Sequence, residues 1–246
     1  MYDNNRVGMI IPAAGIGSRM GGSVKKQHLM LKGKTILRRT LESLVEDSVC
    51  DEVILVVGSD EVDGLHEVIT NEWHLDLKLK VISGGKNRQE SVERGLSALE
   101  EVDYVFVHDG VRPFAKKSWL PDMIEILKED RALKGVSVGK PVTDTLKAVS
   151  DKRIAEKTLD REKLWSVQTP QLFLYDALKQ AHQSAIEDCY TGTDDASLIE
   201  RSGGLVKLVY FGDENIKLTT PFDMIIAEAI LNQSESHSDA VSKKEA

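Results

Sequence analysis

Short β-branched runs alternate with amphipathic stretches along most of this chain, and that alternation admits few folds. A period of two followed by a period near 3.6 is the signature of βαβ units. Their strands run parallel, and a parallel sheet needs helices over both faces. The runs predict strands over 7–11, 52–57, 79–82, 104–108, 135–138 and 205–210. They predict helices over 36–46, 61–70, 88–99, 117–129, 174–186, 194–200 and 221–231. The last has the plainest start. Thr220 can cap it, Pro221 sits where a missing N–H costs nothing, and Asp223 lies at the positive end. At 246 residues the chain is long enough for one large α/β domain, expected over 1–232. Polar residues without periodicity over 233–246 predict an unstructured tail.

One segment breaks the alternation. From Thr143 to Leu164 two short polar runs flank Ser150-Asp151-Lys152, which predicts a β-hairpin arm over 141–164. A lone hairpin is marginal in water, so the arm needs a surface to pack on, and a second copy of the chain is the simplest one.

The chain is net −8, yet between residues 4 and 41 it carries eight Lys or Arg and no Asp or Glu. A basic island of this size focuses on one small anionic ligand; it is too local for nucleic acid. Cys50 and Cys189 are the whole cysteine complement, with no metal-ligand spacing, as in a reducing compartment. The six histidines form no paired metal motif. The opening Met-Tyr-Asp-Asn-Asn resembles no secretory signal and no run reaches membrane-spanning length, so a cytoplasmic protein with no membrane partner is expected.

The island surrounds a glycine-rich turn, Pro12-Ala13-Ala14-Gly15-Ile16-Gly17-Ser18-Arg19-Met20-Gly21-Gly22, followed by Lys25 and Lys26. Glycines let backbone N–H groups approach phosphate oxygens, and the cations neutralise them. It is not a P-loop: Gly33-Lys34-Thr35 has His28 where the earlier glycine belongs. Nor is it a dinucleotide fingerprint, since Met20 replaces the third glycine. A plain strand-to-helix turn would use the same glycines; Arg19, Lys25 and Lys26 favour phosphate.

Ligands of open α/β sheets sit at the carboxyl ends of the strands. The segments there include Gly84-Gly85-Lys86-Asn87-Arg88, His108-Asp109-Gly110-Val111-Arg112, Thr143-Asp144-Thr145 and Asn215-Ile216-Lys217. Asp109 suits a metal or phosphate role, or a helix cap. His108 more often serves a local hydrogen bond. Thr169-Pro170-Gln171 reads as a rigid polar loop, either lining a ligand or merely turning the chain.

These blocks resemble the 2-C-methyl-D-erythritol 4-phosphate cytidylyltransferases of the non-mevalonate isoprenoid pathway. The resemblance rests on the glycine turn, Lys26-Gln27, Gly84-Gly85-x-x-Arg88-x-x-Ser91, His108-Asp109-x-x-Arg112-Pro113, Asp144-Thr145-x-Lys147, Asp160-Arg161, Gln168-Thr169-Pro170-Gln171, Gly192-Thr-Asp-Asp-Ala-Ser197 and Asn215-Ile216-Lys217. It implies a Rossmann-like α/β sheet of the nucleotide-diphospho-sugar transferase type. It also implies CMP transfer from CTP to methylerythritol phosphate, Mg²⁺ or another divalent cation as cofactor, and a homodimer joined by its arms.

By the same resemblance Arg19, Lys26 and Lys217 are catalytic, with Lys26 preferred to Lys25 because Gln27 follows it. Ala13, Ala14, Gly15, Gly84, Gly85, Arg88, Ser91 and Asp109 would hold CTP, and Asp109 the metal. Arg112, Thr145 and Lys217 would meet the sugar phosphate, with Arg161 and Thr169 reaching in from a partner subunit. The sister ribitol-5-phosphate cytidylyltransferases share this chemistry, and Val111 suits them. The Asp144-Thr145 and Asp160-Arg161 blocks resemble the methylerythritol enzyme. A non-catalytic nucleotide-sensing module would have little reason to keep Arg19, Lys26, Asp109 and Lys217 together.

Overall fold

The structure, a computed structural model, describes residues 1–15, 25–45, 48–73, 75 and 78–242, with 235–242 described by backbone alone. In chain order the first half contains β1 (Val7–Pro12), β2 (Met30–Leu31), β3 (Lys34–Thr35), α1 (Ile36–Leu44), β4 (Glu52–Val57), α2 (Val62–Asn71), β5 (Leu79–Ser83), α3 (Arg88–Ala98) and β6 (Tyr104–Val107). Then come α4 (Trp119–Glu129), β7 (Leu133–Pro141), β8 (Lys147–Val149), β9 (Ala155–Thr158) and β10 (Trp165–Leu174). The chain closes with α5 (Tyr175–Glu187), α6 (Asp195–Arg201), β11 (Leu205–Val209) and α7 (Pro221–Ser242).

Seven strands form one sheet in the order β11-β7-β10-β6-β1-β4-β5. All the pairings are parallel except those of β10, which runs antiparallel to both β6 and β7. The side-chain period of two splits the core into two layers. Met9, Ile11, Val53, Leu55, Phe106 and Leu172 face α1, α2 and α4. Their neighbours Ile10, Ile54, Val56, Val105, Val107 and Phe173 face α3, α5 and α6. Both faces are covered, which is why β1 and β4 read as unbroken apolar runs.

The one large departure from the expected elements is β10. Within it, Thr169-Pro170-Gln171 was expected as a rigid polar loop or a turn. The structure reconciles proline with a central strand by a register jump. Val167 pairs with Gly139 and Gln171 with Ser137, so the three residues between them bulge out of the ladder. Pro170 therefore removes no ladder bond, which would otherwise cost about 1 kcal/mol. The bulge also carries Thr169 beside the end of β6.

The hairpin β8–β9 forms as expected, antiparallel, with all of β9 exposed. Asp223 accepts from the Thr219 and Thr220 N–H groups at 2.7 Å each, and the Asp223 N–H reaches the Thr220 hydroxyl at 3.3 Å. The helix that they start was expected to end at 231 with a tail beyond; it continues instead to Ser242. A third apolar cluster, Leu31, Ile36, Val111, Phe114, Leu218 and Ala227, joins α7 to the loop after β6. Among the described residues no helix is long and apolar enough to cross a membrane.

Candidate active site

At the carboxyl ends of β1, β5 and β6 lies a cavity of about 540 Å³. Its floor is the start of the glycine turn. Ala13 leaves β1 by donating its N–H to Val56 at 2.7 Å, and Ala14 then meets Gly84. A Cβ on Gly84 would stand 2.6 Å from the Ala14 Cβ and 2.9 Å from the Ser91 hydroxyl, so only glycine lets these walls touch. The Ser91 hydroxyl is already committed: it donates to Asn87 O at 2.8 Å and accepts the Gly85 N–H at 3.0 Å. It shapes the turn that opens α3, whose N-cap Asn87 accepts from the Glu90 N–H at 2.8 Å.

The wall opposite is built on Asp109, which is 6 % exposed. Its Oδ2 takes Lys217 Nζ at 2.9 Å and Arg112 Nε at 3.3 Å, and its Oδ1 takes Arg88 Nε at 3.3 Å. Burial by itself would raise the carboxyl, but Arg88, Lys217 and Arg112 outweigh it and hold Asp109 well below the usual carboxylate range. Arg88 continues to the buried Asp195, Nη1 to Oδ2 at 2.6 Å, and Asp195 takes His182 Nε2 at 3.1 Å.

Behind Asp109 the proton positions follow from the donors. The Arg112 carbonyl can only accept, so His108 donates from Nε2 at 3.0 Å. Its Nδ1 then accepts from the Thr169 hydroxyl at 3.1 Å, and that oxygen accepts the Asp109 N–H at 3.0 Å. Burial pushes the fully enclosed His108 down to about 4, so the ring is neutral at physiological pH. Asn215 completes the frame, its carbonyl taking Arg112 Nη1 at 2.9 Å and its amide donating to Thr169 O at 2.8 Å.

Of the expected residues, Ala13, Ala14, Gly15, Lys26, Gly85, Arg88, Ser91, Asp109 and Lys217 line the cavity, and Gly84 backs it. Arg19 lies outside the described residues. Arg112 and Thr169, expected to meet the sugar phosphate, are both buried. They are 8 % and 4 % exposed, and hydrogen bonds tie them to Asp109, His108 and Asn215 of their own chain. Thr145 and Arg161 are exposed at the root of the arm and do not line the cavity; Arg161 donates to Thr143 O at 2.7 Å. Lys25 and Lys26 part company. Lys26 lines the cavity, whereas the Lys25 ammonium pairs with Asp60 at 2.9 Å and Glu61 at 2.7 Å.

Sequence reasoning assigned no role to Gln27, Asp195 or His182. The paired acids at 194–195 carried the only signal, since no cation near them in sequence could neutralise a buried carboxylate. Among the described residues, the cations Lys26, Lys86, Arg88 and Lys217 and the carboxylate of Asp109 line the cavity. Two buried donors, Gln27 Nε2 and Arg88 Nη2, have no hydrogen-bond partner among the described residues. Donors left unmade cost about 1–3 kcal/mol each, so the site is built to receive oxygen anions. No cluster of three or more metal-ligating side chains occurs among the described residues. Asp109 is the carboxylate that would stand beside a divalent cation, whose other ligands would have to be phosphates and water.

The sequence pattern of the 2-C-methyl-D-erythritol 4-phosphate cytidylyltransferases matches residues 7–233. Relatives of that name from Alkaliphilus metalliredigens and Geobacter metallireducens are 44% and 40% identical, over 93% and 91% of this chain and 94% and 97% of theirs. The solved 4-diphosphocytidyl-2C-methyl-D-erythritol synthase of Anaerococcus prevotii superposes with a TM-score of 0.81 at 30% identity, covering 94% of this chain and 97% of that one. The Francisella tularensis cytidylyltransferase gives 0.75 at 30% identity, covering 90% and 98%. Agreement over nearly the whole of both chains, in sequence and in backbone, concerns the entire domain and not one phosphate loop, and the chain belongs to the 2-C-methyl-D-erythritol 4-phosphate cytidylyltransferase family.

Proposed function

We infer that this chain transfers CMP from CTP to the phosphate of 2-C-methyl-D-erythritol 4-phosphate, giving 4-diphosphocytidyl-2-C-methyl-D-erythritol and pyrophosphate, with 1–232 as one catalytic domain. The observation that carries the reading is the meeting, among the described residues, of four cations and one carboxylate around the glycine turn, in a chain that is net −8. A phosphate oxygen of the sugar phosphate attacks the α-phosphorus of CTP, and the bond to the pyrophosphate oxygen breaks in line. Both reactants are anions, so positioning and charge neutralisation do most of the work and no covalent nucleophile is needed.

Lys26 and Arg19 neutralise the charge that grows on the α-phosphoryl oxygens. Ala13, Ala14, Gly15, Gly84 and Gly85 bring backbone close to CTP, with Ser91 holding the turn. Arg88 joins that wall to Asp109, and Lys217 stands between Asp109 and the incoming sugar phosphate. Asp109 would hold a divalent cation, which would supply charge neutralisation for the departing pyrophosphate.

The site is completed by a second copy. Val149 and Ile154 are 54% and 63% exposed on the arm, an apolar surface that a partner subunit would cover. Arg112, Thr145 and Lys217 then meet the sugar phosphate, with Arg161 and Thr169 reaching in from the partner subunit. A cytoplasmic location agrees with CTP as co-substrate and with two free cysteines. The test is pyrophosphate release by the purified protein from CTP and Mg²⁺ with methylerythritol phosphate or ribitol 5-phosphate. Release with the first is expected; release only with the second, or with neither, overturns the reading.

A further inference from the structure

Glu61 belongs to none of the blocks that line the cavity, yet its carboxylate gathers three donors. Oε2 takes the Lys25 ammonium at 2.7 Å and the Gly58 N–H at 3.0 Å, and Oε1 pairs with His28 Nε2. Asp60 holds the same ammonium at 2.9 and 3.1 Å. Burial would raise the Glu61 carboxyl, but Lys25, His28 and the Gly58 N–H outweigh it and keep the group ionised. The Glu61 side chain is 12% exposed, so these contacts are better sheltered than a surface pair.

The segment that Glu61 grips is one extended residue, Lys25, followed by a single 3₁₀ turn, Lys26–His28. The turn is closed by His28 N–H to Lys25 O at 2.9 Å and Leu29 N–H to Lys26 O at 3.1 Å. In 3₁₀ geometry residues i and i+3 eclipse. Lys25 and His28 therefore share one side and both meet Glu61, while Lys26 and Gln27 line the cavity on the other. The outer pair fixes the rotation of the turn, and the rotation aims the inner pair.

We propose that Glu61, with Lys25 and His28, is a positioning clamp that aims Lys26 at the reacting phosphates, and that Lys25 itself does not touch substrate. The proposal rests on the cytidylyltransferase reading for its catalytic consequence but not for its geometry. A displacement of about 1 Å in a catalytic group can cost on the order of 100-fold in rate, so a loosened turn shows in turnover before it shows in stability.

The test compares Glu61→Gln, Lys25→Met and Lys25→Arg with the unaltered protein in steady-state CMP transfer, melting temperature and amide hydrogen exchange without nucleotide. In Glu61→Gln and Lys25→Met, kcat is expected to fall about 10- to 100-fold. KM for both substrates should stay within about twofold, and His28 and Leu29 should exchange faster while the sheet is unchanged. Lys25→Arg, which keeps a cation on the outer side, should recover most of the turnover. Unchanged exchange at His28 and Leu29 overturns the clamp whatever the activity. So does wild-type turnover in Glu61→Gln, or a loss in Lys25→Arg as deep as in Lys25→Met, which would put Lys25 on the substrate. If the unaltered protein transfers no CMP, the functional reading falls alone and the exchange measurement still decides the clamp.

Discussion

Arg88 is the most exacting point at which to perturb this site, because it bridges two enclosed carboxylates. Arg88→Met keeps much of the side-chain volume and removes the guanidinium. Asp109 would retain Arg112 and Lys217, but Asp195, 1 % exposed, would be left with His182 alone. Removing one partner of a buried ion pair costs about 3–5 kcal/mol. At about 2–4 °C per kcal/mol for a domain of this size, the melting temperature should fall by roughly 6–20 °C near neutral pH.

The pH dependence identifies the cause. In the intact protein burial would raise the Asp195 carboxyl, but Arg88 and His182 outweigh it and lower it. A depressed carboxyl contributes stability that is present above its unfolded value of about 3.9 and lost as pH falls through the folded value. In Arg88→Met burial dominates and the carboxyl rises, so the variant is relieved of its unpaired charge as pH falls through that raised value. The gap between the two melting curves should therefore narrow on acidification from about pH 7.5 to about pH 5. Adding Asp195→Asn to Arg88→Met should recover much of the loss at neutral pH. A gap equally wide at both pH values, together with no recovery in the double variant, would refute the reasoning.

Three further outcomes are expected. Lys26→Ala should lower turnover by about 10²–10³, the scale of one lost transition-state donor, read as pyrophosphate release; a loss of under tenfold would take Lys26 off the catalytic wall. As pH falls from 6.5 toward about 4, the unfolded chain takes up a proton that His108 refuses in the fold. This should remove about 3 kcal/mol of stability, and His108→Gln should flatten that slope in urea titrations. Equal slopes in the two proteins would show that His108 is not the group responsible. Placing Asp at both Val149 and Ile154 should convert a sedimenting dimer to monomer, and an unchanged mass would dismiss the arm as the contact.

What local sequence determined here is what depends on neighbours a few residues apart. The period of two and the period near 3.6 predicted the six parallel strands and seven helices, because burial of one face is written into adjacent residues. The 79–82 and 104–108 runs also located the strand ends after which Arg88, at the start of α3, and Asp109 follow. Thr220, Pro221 and Asp223 marked the start of α7 for the same reason. The tertiary structure decided whatever depends on residues far apart in the chain. Thr169-Pro170-Gln171 reads as a loop in sequence; the pairing of β10 with both β6 and β7 places Pro170 in a bulge of a central strand, where no ladder bond is lost. Lys25 and Lys26 are indistinguishable as neighbours. They separate only because Glu61, more than thirty positions on, neutralises one and leaves the other against the cavity. Arg112 and Thr169 look like ligand contacts in sequence and prove to be enclosed. A charged or hydroxyl side chain is buried only where its partners are, and those partners, Asn215 and His108, are brought to it by the closing of the sheet.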